Sequence, residues 1–416
     1  MINLTYEYRV YPTADQAIKM DEWLDTCKRV YNYALAERRD WIQSRKCPIN
    51  ACSIQREFIY PMDSEKPTYY SQKRNLTAAR KTNSFLQAVH SQVLQDVMGR
   101  LEKAFNALWN SGFGFPRFKK RFRSFNFPQL GKNPIGDNQI KLPVFGWVKT
   151  VMHRPLPDGF EVKQARVVKR ASGWYIQLVI QSDVKIPDPP IGGYAIGIDV
   201  GLTDFVATSE GELIGRPRFF VEAQHRLKVL NRAVARKQKG SKNQQKARQR
   251  VARFYERIVN RRKDFHRKLA HHLCDQAGMI FAEELNLKGL AKGMLGKHCL
   301  DAGWGQFLET LRWVCFKRGV HFQKVAANGT SQECPSCGVA VKKDLSMRRH
   351  ECPECGYTTN RDVASGQVIR NRGLASTEHV AELVEACRSV AVGQTVQSCG
   401  ATPSREALKQ EFLKAI

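Results

Sequence analysis

Apolar and polar positions alternate from Ile2 to Tyr11 (Leu4, Tyr6, Tyr8, Val10), the period of a half-buried strand. From Thr13 to about Trp109 the spacing lengthens to three and four, which predicts helices over Asp15–Leu35 and again over Phe85–Trp109. The stretch from Cys47 to Lys73, with Pro48, Pro61 and Pro67, interrupts them as loop. After Gly112 the chain turns to glycine, aromatic and basic residues, then to short strand-like runs between Ile140 and Ile180. Lys163–Gln181 has the form of a hairpin turning at Ala171-Ser172-Gly173. These strands, completed by the first one, predict a small β-barrel, closed off by a linker at Pro187–Pro190.

A new domain opens at Tyr194–Val200, an apolar strand that runs into Asp199. Short strands are expected near Phe205–Thr208 and Leu213–Gly215, then a helical hairpin over roughly Val221–Lys237 and Lys242–Leu273 that turns at Gly240-Ser241. Met279–Ala282 is a further buried strand ending at Glu283-Glu284, and Val320–Val325 another. Asp362 starts a helix expected to stop near Arg372-Gly373, and the weakly periodic remainder from residue 375 to 416 is expected to be a mobile tail.

Charge narrows the possible partners. The chain has 416 residues, with 67 Lys and Arg against 39 Asp and Glu, a formal net charge of +28. Such an excess favours a nucleic acid or an anionic membrane surface. No apolar run approaches the roughly 18 residues of a membrane span, and Met1–Tyr8 lacks the features of a secretory signal. A cytosolic nucleic-acid partner is therefore expected. The basic residues are also clustered: Arg226–Lys268 holds seventeen of them against Glu256 and Asp264 alone. A solvated face would mix signs, so this hairpin fits a phosphate track, with Arg248, Arg253 and Arg257 along it. A second patch, Phe115–Phe125, interleaves phenylalanines with Arg117, Lys119, Lys120 and Arg121, a pattern suited to base stacking plus phosphate contact.

Two constellations carry chemistry. Cys334-Pro-Ser-Cys337-Gly and Cys352-Pro-Glu-Cys355-Gly are paired knuckles whose thiolates would close a tetrahedral shell around structural Zn²⁺, leaving no open position for catalysis. His350, two residues before Cys352, is expected at the surface rather than on the metal. The other eight cysteines are scattered, which suits a reducing compartment. Asp199 and Glu283 end apolar strands and Asp362 opens a helix. In an RNase H-like sheet the first and fourth strands are parallel neighbours, so these acids would meet and offer oxygen ligands to Mg²⁺ for phosphodiester hydrolysis. Adjacent strand residues face opposite ways, so only one of Glu283 and Glu284 can join them.

With these residues in hand, the chain resembles the TnpB family, transposon-encoded RNA-guided DNA endonucleases related to the compact type V CRISPR effectors. The likeness rests on Gly197-Ile-Asp-Val-Gly-Leu, Glu283-Glu-Leu-Asn-Leu-Lys-Gly-Leu, Asp301-Ala-Gly-Trp-Gly-Gln-Phe, the two knuckles and Asn360-Arg-Asp-Val, and extends to about Leu374. It implies an α/β multidomain protein: a β-barrel domain (1–11 and 112–186), a helical recognition domain (12–111), a RuvC-like, RNase H-type nuclease domain (191–330 and 358–374) and an inserted zinc ribbon (331–357). It also implies that Asp199, Glu283 and Asp362 are catalytic and hold Mg²⁺. The partners would be a guide RNA from the transposon end and target double-stranded DNA, cut next to a short motif that Gln95 helps to read. Two departures stand out: the family usually reads Asp-Arg-Asp followed by Asn-Ala-Ala, where this chain has Asn360 and Ala364-Ser365; neither removes a ligand, and whether the less acidic helix start weakens cleavage is left open by sequence. A guided repressor without cleavage is the main alternative, and an unguided zinc-ribbon accessory of transposition a third.

Overall fold

The computed structural model describes residues 2–46, 60–61, 63–131, 133–183, 189–344 and 347–392. Most of the proline-rich interruption before Tyr60, the start of the expected linker and the chain beyond residue 392 lie outside them. The chain divides into two compact units, one of Met1–Pro187 with Gln238–Glu256, the other of Asp188–Lys237 with Arg257–Ile416. No helix among the described residues is long and apolar enough to cross a membrane.

The first unit begins with strand β1 (Ile2–Tyr11), followed by helices α1 (Ala14–Lys46), α2 (Tyr69–Thr82), the single turn α3 (Ser84–Gln87) and α4 (Ser91–Ser111). Local chemistry sets these starts. The Thr13 hydroxyl accepts the Gln16 amide at 3.3 Å while the Gln16 side chain accepts the Thr13 amide at 3.0 Å, a reciprocal cap for α1. Thr68 and Ser71 do the same for α2. Strands β2 (Ser124–Phe127), β3 (Ile135–Gly136), β4 (Gln139–Leu142), β5 (Gly146–Val151), β6 (Glu161–Lys169) and β7 (Trp174–Ser182) complete the unit.

The expected barrel is instead a seven-stranded antiparallel sheet in the order β2-β6-β7-β1-β5-β4-β3, whose end strands β2 and β3 do not pair with each other. Among the described residues β2 pairs with β6 alone and β3 with β4 alone, so both remain edges and the ladder stays open. The first strand does join it, paired from Ile2 to Val10 with β7. Helices and sheet share one core, in which Trp23 of α1 packs against Phe125, Phe127 and Phe145 with ring centroids 4.6–5.9 Å apart.

The second unit has strands β8 (Ala195–Asp199), β9 (Asp204–Thr208) and β10 (Leu213–Gly215), helix α5 (Phe219–Ala235), and helix α6 (Lys242–Gln276), whose first part to Glu256 groups with the first unit. Strand β11 (Met279–Glu283) follows, then helices α7 (Leu287–Lys292), α8 (Gly296–Ala302) and α9 (Trp304–Arg318), strands β12 (His321–Val325), β13 (Arg349–Glu351) and β14 (Thr358–Asn360), and helix α10 (Arg361–Val392). Helices α7, α8 and α9 are additional to the elements expected from sequence. Helix α10 also continues to Val392 rather than stopping at Arg372-Gly373. Gly373 continues the helix at a site where any Cβ would strike the Phe281 ring at 2.2 Å, so it serves close packing rather than termination.

The sheet of this unit runs β10-β9-β8-β11-β12, with β8, β11 and β12 parallel. Ile198 stands opposite Ala282, so the next residues, Asp199 and Glu283, leave adjacent parallel strands at the same end. Helix α10 crosses this sheet very closely. A Cβ on Gly197 would lie 2.0 Å from the Gly366 carbonyl oxygen and 2.5 Å from the Arg370 nitrogen, so glycine at 197 is what admits the helix.

Candidate active site

Three carboxylates converge where these elements meet. Burial pushes the Asp199 carboxyl up to about 7, with the negative charges of Glu283 and then Asp362 adding to the rise and Arg361 opposing it. Glu283 and Asp362 therefore both lie near enough for their charges to be felt at Asp199. Glu283 is buried and its own carboxyl is raised by burial, against a hydrogen bond from the Thr330 hydroxyl and the nearby Arg372 guanidinium. Arg372 is itself held by the carbonyl oxygens of Ala326 (3.0 Å) and Asn328 (2.8 Å) and by Glu333 at 2.5 Å. Glu284 is exposed, with its amide on the Val325 carbonyl. Asp362, in the first turn of α10, lies 3.2 Å from the Arg361 guanidinium and 3.9 Å from that of Arg348.

The residues behind this cluster were only partly visible in sequence. Asn360, a departure from the family pattern, accepts the Asp362 amide at 2.8 Å and so caps α10, a role asparagine fills as well as aspartate. Asp301 belongs to a conspicuous motif, but its task appears only in three dimensions. It is buried, and its carboxylate accepts the amides of Phe220 (2.7 Å) and Val221 (3.3 Å), holding the positive end of α5. Thr330, Arg348 and Arg372 carry no sequence signal, since each depends on a distant loop folding back.

The four cysteines form the one group of His, Cys, Asp or Glu among the described residues whose ligand atoms all lie within 4.8 Å of each other. The knuckles are built alike. The amide of Gly338 reaches the Cys334 carbonyl (2.9 Å) and that of Gly356 the Cys352 carbonyl (3.0 Å), both glycines at positive φ (78° and 70°). Backbone amides of Cys355 and Glu354 help pull the Cys352 thiol down to about 7. A compact set of four thiols supplied with amide donors fits Zn²⁺. His350 differs from expectation: it is fully buried in β13, its Nδ1 against the Lys343 ammonium and its ring 6.1 Å from that of Tyr357, which pack around it.

The basic residues divide. Arg117, Lys119, Lys120, Arg121, Arg248 and Arg257 are exposed. Arg253 is exposed too, but its Nε donates to the Ala171 carbonyl at 3.1 Å, and Glu256 one turn on accepts the Ser172 amide (3.0 Å) and hydroxyl (2.7 Å). These two residues fasten α6 to the β6–β7 turn. In the aromatic patch Phe125 belongs to the core, whereas Phe115 and Phe118 are exposed. Gln95 lines an open groove of about 530 Å³ with Lys73, Arg100, Lys103 and Arg166.

Comparison with known proteins adds lineage to this geometry. Residues 177–294 match the OrfB_IS605 family model, described as a probable transposase, residues 304–369 the Cas12f1-like TNB domain, and residues 1–47 a helix-turn-helix domain model. Those last residues form β1 and the single helix α1 here. A Streptomyces pristinaespiralis protein provisionally named an RNA-guided DNA endonuclease is 30% identical over 83% of this chain and 84% of its own. The Escherichia coli K12 protein InsQ, also provisionally named an RNA-guided DNA endonuclease, is 26% identical over 82% and 84%. A solved Cas12f1–sgRNA–target DNA complex is similar in fold, with a TM-score of 0.52 at 12% identity, covering 89% of this chain and 98% of that one.

Proposed function

The chain belongs to the OrfB_IS605 family of TnpB-like RNA-guided DNA endonucleases, and from that membership we propose that it is itself a guided nuclease with one RuvC-like site at Asp199, Glu283 and Asp362. The observation that carries the proposal is the placing of Asp199 and Glu283 at the same end of adjacent parallel strands, with the charges of Glu283 and Asp362 both felt at Asp199. The strand order β10-β9-β8-β11-β12, with an antiparallel β9 beside a parallel core, supports an RNase H-type reading of the second unit. A buried carboxylate whose proton affinity is raised further by two neighbouring negative charges suits a hard divalent cation, and oxygen donors are what Mg²⁺ prefers. When bound there, Mg²⁺ would supply charge stabilisation at the phosphoryl group and an activated water.

The protein's own residues set up that chemistry. Thr330 and Arg372 fix the orientation of Glu283, while Asn360 fixes the first turn from which Asp362 projects. Arg348 and Arg361 offer positive charge beside the acids, suited to a phosphodiester. The cysteine knuckles, read as a zinc ribbon, keep the segment before Asp362 folded. Guide RNA would lie on the exposed cations, base pairing would select the target, and the groove that holds Gln95 would read the short adjacent motif.

Alanine at Asp199, Glu283 or Asp362 should reduce cleavage by more than roughly a hundredfold, since disturbing even a metal ligand's outer partners costs 10–100-fold. Guided DNA binding should stay nearly intact. Glu284→Ala should cut normally. Activity lost in Glu284→Ala and kept in Glu283→Ala would refute the site, and binding lost together with cleavage in all three variants would refute the division of roles.

A further inference from the structure

The first unit carries a second recess, distinct from the groove beside Gln95 and sharing only Tyr69 with it. It is a cavity of about 240 Å³ between the C-terminal half of α1, the start of α2 and the last turns of α4. Its walls include the rings of Trp41, Phe105 and Trp109, the last two nearly parallel at 26° with centroids 6.4 Å apart. Cations stand against these rings: the Lys66 nitrogen lies 6.0 Å from the Trp109 centroid and the Arg38 guanidinium 4.9 Å from that of Phe105.

Arg38 is the informative member. It is 8% exposed, and its Nε donates to Gln72 (2.9 Å) and its Nη1 to Glu102 (2.7 Å), which fix the guanidinium plane. Its Nη2 is buried without a hydrogen-bond partner. Leaving such a donor unsatisfied is costly, so an acceptor is expected to arrive from outside the chain. Trp109 presents the opposite anomaly, a large ring that is 62% exposed at the mouth of the cavity. An apolar ligand would leave the arginine unsatisfied, and a bare phosphate would leave the rings unused. A flat ring with acceptor atoms on its edge serves both.

We propose that this cavity holds one unpaired nucleobase of the guide RNA, an inference that rests on the guided nuclease proposed above. Structured RNA offers splayed bases in loops and bulges for stacking on aromatic side chains for the whole life of the complex, whereas target DNA exposes unpaired bases only after the guide has opened it. The fixed Arg38 favours a base carrying acceptors on the edge turned toward it, and Lys66 balances the phosphate that follows the base in.

The test uses the protein purified with its RNA. Ultraviolet irradiation followed by digestion should yield a ribonucleotide adduct on the peptide that carries Phe105 and Trp109 or on the one that carries Trp41. The adduct should map to one recurrent RNA position. Trp109→Ala, a change at an exposed ring that should leave folding unaffected, should lose the adduct although RNA still co-purifies. It should also bind a short single-stranded RNA oligomer roughly tenfold less tightly, the scale of one base–aromatic stack, while both proteins bind a base-free oligomer of equal length alike. Equal affinity of both proteins for the base-carrying oligomer, or adducts only elsewhere, would overturn the proposal. A clear preference for the DNA oligomer of the same sequence would overturn its assignment to RNA. A preparation holding no RNA would instead overturn the guided reading from which it starts.

Discussion

At the scale of single residues, Asp199 is the acid whose state depends most on its neighbours. Its carboxyl sits near 7 in the fold against an ordinary 3.8, so between those values the folded protein keeps a proton that the unfolded chain releases. Stability of the metal-free protein should therefore fall as pH rises from about 4 to about 7. Asp199→Asn, neutral throughout, should escape that loss. Thermal melts in chelator should show the variant above the parent at pH 8 and close to it at pH 4. Parallel melting curves across that range would mean that burial and the neighbouring charges do not raise the Asp199 carboxyl in solution. The choice between Glu283 and Glu284 also belongs here. Strand alternation foretold that only one could join the site, while burial of Glu283 and the Thr330 bond that selects it became visible only in the fold.

At the scale of elements, the cluster exists because α10 lies directly on β8. Gly197 and Gly366 permit that approach, and backbone on both sides leaves little room to adjust. Gly197→Ala should cost about 1–3 kcal/mol or more through overpacking and lower the melting temperature by about 5 °C. It should also reduce cleavage, because the helix it displaces carries Asp362. An unchanged melting temperature by calorimetry would contradict the close packing described. Sequence revealed β8, β11 and the separate helices α5 and α6 to within a few residues because each is long, periodic or bounded by glycine. It did not reveal α7 and α8, which are short and weakly patterned. Helix α9 was legible in principle: Trp304, Phe307, Leu308, Leu311, Val314 and Cys315 are buried at the helical period. The barrel's failure to close was not legible, since pairing between distant strands leaves no local mark.

At the scale of the whole molecule, charge should govern affinity and the carboxylates chemistry. Charge reversal at Arg248 and Arg257, both exposed, should weaken RNA and DNA binding across all sequences and lower the salt slope by about one per lost phosphate contact. Arg253 should behave differently, because its bond to Ala171 makes it part of the packing as well, and its reversal should also lower the melting temperature. Binding measured against salt, beside calorimetry, separates the two effects. The central claim is guided cleavage, and retargeting tests it most directly. Purified protein is mixed with Mg²⁺, plasmid, and a guide whose terminal segment alone has been rewritten to match a new site beside the same short motif. Cutting should move to the new site and vanish without RNA or with Asp199→Ala, whereas cutting at the old site, or equal cutting with no guide, would contradict the account.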